Sequence, residues 1–223
     1  MKTNHLTNLV AVTLVAMLIQ STVFADEYIG TAESRAERES RVLDRNDAFL
    51  ESDAVKGISF KPGQALPHLD IQEGGEFYIG ENEIVKRPWS SKCFEEKGKV
   101  QVVQYVADNR GATRQNKLFN DTLINRHFSS EQLDTTVIVH MADTMGFVQG
   151  FVVKKIAKNK EKYKTINFVV DDHGEGLQRW GMKHKSSAII VLDAEGKVLF
   201  AKDGPLSESE VESTIGLIES QMG

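Results

Sequence analysis

Cys93 is the single cysteine in 223 residues. One thiol cannot close an internal disulfide, and alone it cannot supply the thiolates of a structural zinc centre. Two roles remain for it. Free cysteine is among the most buried residue types, which makes Cys93 a small core anchor. A reactive thiol, with Lys92 alongside to lower its pKa, or an intermolecular disulfide in an oxidising compartment is the other role. The anchor is the favoured expectation. Asp171-Asp172-His173-Gly174-Glu175 gathers carboxylates around an imidazole. Its oxygen spacing misses the calcium-loop pattern, and Asp-x-x-Gly after an apolar run reads as a turn. His140 lies inside an apolar run and reads as a satisfied core or edge residue. No His-x-x-x-His or Cys-x-x-Cys spacing occurs, so neither a metal nor a cofactor is expected. G-x-S-x-G, the P-loop and G-x-G-x-x-G are also missing.

Basic residues offer a different chemistry. Arg110, Arg114, Lys117 and Arg126 give one predicted helix a basic side. With Asp108 and Asn109 at the helix entry, Arg110 and Arg114 are candidates to hold a small anion or a partner's carboxylate. Most such charge is only a solvated face. The whole chain carries a net charge of −5, with 27 Lys and Arg against 32 Asp and Glu. There is no overall basic field to gather nucleic acid. With 17 Gly and 4 Pro, collagenous and low-complexity classes are excluded.

Three segments must position these residues. Residues 1–25 have the layout of a secretory signal: Lys2, the apolar stretch Leu9 to Ile19, then Val23-Phe24-Ala25, with cleavage expected between Ala25 and Asp26. The apolar stretch is too short to span a bilayer. An exported, periplasmic protein with no membrane span after cleavage is the expectation. Residues 26–56 alternate acids with arginines and read as a charged arm or isolated helix. Residues 57–223 form the domain.

Within that domain, His68 to Ile71 and Phe77 to Ile79 flank Glu73-Gly74-Gly75 and predict a β-hairpin. Ile84 to Trp89 is a further short strand that Pro88 stops. Apolar runs predict strands at Val100–Val106, Thr135–Met141, Ile166–Val170, Ser187–Leu192 and Val198–Ala201. Helices are predicted at Thr113–Phe128 and at Phe147–Ala157, the latter through Phe147, Phe151, Val152 and Ile156. A short turn of helix surrounds Trp180. Ser207-x-x-Glu210 is a capping box that opens a last helix through Val211, Ile215 and Ile218. The fold class is α/β, a mixed sheet with helices on both faces behind an N-terminal hairpin. Tyr163 and Trp180 read as packing residues.

This order resembles the thioredoxin-like fold of peroxiredoxins and membrane-anchored thioredoxins. Gly63-x-x-x-Pro67, Ser91 to Val100, Phe168-Val-Val-Asp171, Ile190 to Val198 and Gly204 to Glu210 carry the resemblance. The block from Gly98 to about Ile218 is similar, more closely, to the YtfJ family of periplasmic proteins, whose function is not established. Val103-Gln-Tyr-Val106, Phe168 to Asp172, Ser186 to Asp193 and Ala201 to Leu206 are its most telling phrases. The resemblance implies a thioredoxin-like fold but not its dithiol chemistry. Thiol–disulfide exchange needs a low-pKa thiolate at the start of the helix after the first core strand, and a second cysteine to resolve it. Ala107 to Thr113 occupies that place without sulfur. Ser187 stands about where the family has its cis-proline. The surface at that former active site, Asp108 to Arg114 with Asp143 and Ser187, is therefore the first candidate binding site. A binding or interaction protein, for an unknown protein or small anionic ligand, is the leading expectation. A non-redox enzyme, or a one-cysteine activity through Cys93, is the alternative.

Overall fold

The computed structural model describes residues 57–222 apart from residues 82 and 145; the signal segment, its cleavage point and the charged arm lie outside the described residues. Strand β3 (Val100–Ala107) is buried along its whole length between helices on both sides, with its two glutamines, Gln101 and Gln104, hydrogen-bonded to Phe94 O and Asn120 Oδ1. It follows β1 (Asp70–Ile79), β2 (Ile84–Ser90) and a 3₁₀ turn at Ser91–Glu96. After it come α1 (Arg110–Gln115), α2 (Lys117–Asn125), β4 (Leu133–His140), α3 (Gly146–Lys162) and β5 (Ile166–Asp171). The chain closes with α4 (Glu175–Trp180), β6 (Ser187–Leu192), β7 (Val198–Asp203) and α5 (Glu208–Ser220). The seven strands form one sheet in the order β2-β1-β5-β4-β3-β6-β7. β3, β4 and β5 are parallel to one another, while β1, β2, β6 and β7 pair antiparallel.

Side chains alternate across the sheet, and two apolar layers result. On one face Val103, Tyr105, Ile138, Val169 and Ile190 pack under Leu177 and Trp180 of α4 and under Phe60 and Leu69. On the other, Val137, Phe168 and Val170 meet Ile156 of α3, and Val102, Ile189 and Val191 meet α2 and α5. The capping box at the start of α5 has both of its hydrogen bonds. Among the described residues, no helix is long and apolar enough to cross a membrane.

The predicted hairpin around Gly74-Gly75 is corrected. Residues 70–79 form one continuous strand, and the hairpin turn lies beyond it, closed by Gly80 N donating to Glu83 O. Gly74 and Gly75 form an irregularity inside β1, both with positive φ (84° and 74°), between the two stretches that pair with β2. There β1 takes a second partner, with Gly74 opposite Asp171 and Gly75 opposite Val170. Only glycine fits, because a β-carbon on Gly75 would stand 2.0 Å from Arg87 O.

Two helix readings also change. The helix expected at 113–128 starts at Arg110 and breaks at Asn116. That buried side chain donates to Ser187 O at 2.9 Å and accepts from Leu206 N at 3.1 Å, so tertiary contacts override helical continuity. In α3 the stripe expected through Phe151 is rotated. Phe151 is 73% exposed, and the core is met by Ile156 with Val152 and Val153.

Candidate functional site

The carboxyl ends of β3, β4 and β5 lie side by side, the place where open α/β sheets collect ligands. Every residue of the predicted surface is carried by the segments that leave or enter this end. Asp108 follows β3; its backbone N–H donates to His140 O, and its side chain accepts from Thr144 Oγ1 at 3.4 Å. Burial pushes the Asp108 carboxyl up, opposed by the nearby Lys155 ammonium. Asn109 caps α1 by accepting from Ala112 N at 2.8 Å, leaving its buried Nδ2 without a partner. Arg110 opens α1 half-buried, and Arg114 is exposed on the last turn of this six-residue helix.

Asp143 uses both oxygens on one segment, accepting from His184 Nδ1 at 2.7 Å and from Lys185 N at 3.1 Å. Lys185 itself is left-handed, with φ 52°. Ser187 is buried rather than presented: its N–H donates to Gln115 Oε1, and Asn116 Nδ2 reaches its carbonyl and hydroxyl oxygens. It ties α1–α2 to the sheet. Cys93 lies away from this group, in the 3₁₀ turn before β3, partly buried against the core. Burial pushes its thiol up to about 11, with Lys97 working against the shift.

Sequence spacing missed a row of polar groups beneath this surface. Tyr105, His140 and Asp171 lie on three neighbouring strands of one face. Register sets His140 beside Asp171 on β5 and Ala107 on β3. Tyr105 stacks on His140, with centroids 5.2 Å apart and planes 13° from parallel, and donates its hydroxyl proton to Asp171 Oδ2 at 2.7 Å. Asp171 also accepts from the N–H groups of Gly174, Glu175 and Gly176, which is the turn expected from Asp-x-x-Gly, with Gly174 at φ 73°. The expectation of a satisfied His140 is corrected. It is fully buried, and neither ring nitrogen has a hydrogen-bond partner. Two-residue alternation places each of the three on one side of its own strand, but only the strand order brings them together.

Two of these groups titrate in opposite senses. Burial pushes His140 down to about 4, against the pull of Asp143 and Asp171. Burial and a hydrogen bond to Asp171 raise Glu175 to about 7. Burial alone would raise Asp171 too, but hydrogen bonds from Glu175, Gly176 N and Tyr105 hold it below the carboxylate range. Between pH 6.5 and 4 the unfolded chain binds the extra histidine proton, so stability from neutral His140 is lost on acidification. Between pH 4.5 and 7 the folded chain holds the extra Glu175 proton, so that stability is lost as pH rises. The two slopes oppose each other where the windows overlap. Glu175→Gln is expected to leave a melting temperature that falls on acidification from pH 6.5, more steeply than in the parent. His140→Asn is expected to leave the reverse slope. Thermal melts across this range decide it, and an unchanged slope in Glu175→Gln would remove the shared proton from the account.

Comparison with known proteins fits this picture. The family described as "Bacterial protein of unknown function (YtfJ_HI0045)" matches residues 60–221. An uncharacterized protein of Haemophilus influenzae is 35% identical over 155 residues, covering 70% of this chain and 83% of its own. The uncharacterized protein YtfJ of Escherichia coli K12 is 31% identical over 160 residues, covering 72% of this chain and 86% of its own. The crystal structure of a thioredoxin-like superfamily protein superposes with a TM-score of 0.51 at 14% identity, over 72% of this chain and 97% of that one. That likeness concerns the fold alone. With the strand order, the helices on both faces and two relatives above 30% identity, the chain is a member of the YtfJ family, built on a thioredoxin-like fold.

Proposed function

We propose that this is an exported, periplasmic thioredoxin-fold protein that binds a partner protein or a small anionic ligand and performs no dithiol exchange. The observation that carries this reading is the pair of contrasting ends of β3. At its carboxyl end, where the fold would hold a reactive thiolate, the chain offers Asp108, Asn109 and Arg110. At its amino end stands the one thiol, Cys93, pushed up to about 11. A thiol so shifted is almost wholly protonated at neutral pH and makes a poor nucleophile. Asp108, Asn109, Arg110, Arg114 and Asp143 form the candidate binding surface, held in place by Ser187.

Thiol titration of the purified protein, native and then unfolded, tests the redox half of this reading. Cys93 is expected to react slowly at pH 8 in the native state and fully after unfolding, and the protein to show no reductase activity toward insulin disulfides. Fast native reaction with an apparent pKa below that of a free thiol would replace the binding role with a one-cysteine activity. Export is tested separately, by N-terminal sequencing of the protein from a periplasmic fraction, where Asp26 is the expected first residue.

A further inference from the structure

His140 and His184 come from different elements, 6.5 Å apart between ring centroids and with perpendicular planes. His140 is inside, fully buried at the end of β4, with both nitrogens unpaired. His184 is outside, with 43% of its side chain exposed, and its Nδ1 donates to Asp143 Oδ1. In the neutral ring that hydrogen bond puts the proton on Nδ1 and leaves Nε2 with its lone pair. A carboxylate on the far nitrogen is the usual orienting partner of a metal-bound imidazole. Tyr105, stacked on His140, fixes the plane of the inner ring.

We propose that His140 and His184 form a two-imidazole site for a monovalent copper-group cation, Cu(I) or its analogue Ag(I), with Asp143 as the positioning residue for His184. The separation selects the ion. With metal–nitrogen bonds of about 2.0 Å, two imidazoles in line across one ion have centroids roughly 6.3 Å apart, and at a tetrahedral angle roughly 5 Å. The observed 6.5 Å between centroids matches the linear distance when a nitrogen of each ring lies on the line that joins them, and a linear N–metal–N axis leaves the rings free to be perpendicular. Closed-shell monovalent ions of this group accept two ligands in line, and imidazole is a suitable donor to copper. Among the described residues, no three His, Cys, Asp or Glu side chains group as a metal set, so an ion that requires four such ligands finds no match here. The exposed ring provides the entry and the buried ring the anchor. Coordination is the only step; the ion keeps its charge and no electron moves. The site does not depend on the partner-binding reading above. Its ligands are 44 positions apart on separate segments, beyond the reach of any local spacing rule.

The test uses purified protein carrying Cys93→Ser, because the thiol would capture the same ions. Ag(I) is titrated directly, and Cu(I) against a chromophoric chelator. One equivalent of either is expected to bind, and the ring signals of His140 and His184 are expected to shift together in NMR spectra. Adding His184→Gln should weaken binding at least about 100-fold with the fold unchanged by circular dichroism, and Asp143→Asn about 10- to 100-fold. Zn(II) should bind the Cys93→Ser protein no better than its His184→Gln derivative. Absence of binding overturns the site, as does binding that His184→Gln leaves intact. Should that variant fail to fold, the ring shifts in the Cys93→Ser protein decide alone: if the two histidine signals do not move, the site is wrong.

Discussion

Replacing Asp171 with alanine is expected to lower folding stability by about 4 kcal/mol. The carboxylate is fully buried and, besides the hydrogen bond from the Glu175 carboxyl, accepts four more: Gly174 N and Glu175 N on one oxygen, Gly176 N and the Tyr105 hydroxyl on the other. Each buried donor left without an acceptor costs about 1–3 kcal/mol, and relaxation of the turn recovers part of the sum. Asp171→Asn separates charge from shape. It keeps one acceptor oxygen but sets an NH₂ group against two donors, so roughly half the loss is expected. Guanidinium unfolding of both variants measures this. A loss below about 1 kcal/mol for alanine would mean that the turn is held by the packing of Leu177 and Trp180 instead.

Gly75→Ala is expected to cost at least about 3 kcal/mol. A left-handed alanine accounts for about 1–2 kcal/mol of this. The rest is collision: the new carbon would sit 2.0 Å from Arg87 O and 3.3 Å from Pro88 Cα, backbone atoms that move only if β2 moves. Gly63→Ala is the internal control. It shares a positive φ of 85° but has nothing within 4 Å of its β-carbon, so it should show the conformational cost alone. Equal losses at the two positions would mean that β2 yields without strain.

Much of the fold was legible because the chemistry that encodes it is local. The predicted bounds Ser187–Leu192 coincide with those of β6, and the Ser207–Glu210 box starts α5 as read. Apolar runs flanked by glycine and charge identify buried strands whatever their neighbours are. What sequence could not supply was adjacency. Gly74-Gly75 between apolar runs has the signature of a hairpin turn, and it takes a second strand, β5, to make it an irregularity inside a strand. Phe151 matched a helical stripe, but the sheet met α3 on the side of Ile156. Asn116 ends α1 through bonds to Ser187 and Leu206, far away in sequence. The candidate surface divides in the same way. The segment 108–114 was readable as the passage from a core strand into a helix, although the helix starts at Arg110, three residues before the expected Thr113. The row Tyr105, His140, Asp171 required the strand order, and the pairing of His184 with Asp143 required two loops to meet.

The three-residue seam between β1 and β5 has a consequence for the order of assembly. β3, β4 and β5 grow by successive crossovers, β6 and β7 close as a local hairpin, and six residue pairs carry β6 onto β3. The β1–β2 hairpin forms locally too, but its strand pairing with the rest of the sheet is only Gly74–Glu76 against Val169–Asp171, half as many pairs as join β6 to β3 at a similar sequence separation, beside the packing of Ile71, Phe77 and Trp89 in the core. Closing so long a loop is entropically slow, and so short a seam recovers little of the cost. The hairpin should therefore be the last unit to acquire amide protection on refolding. At equilibrium it should exchange as its own cooperative unit, ahead of the parallel centre.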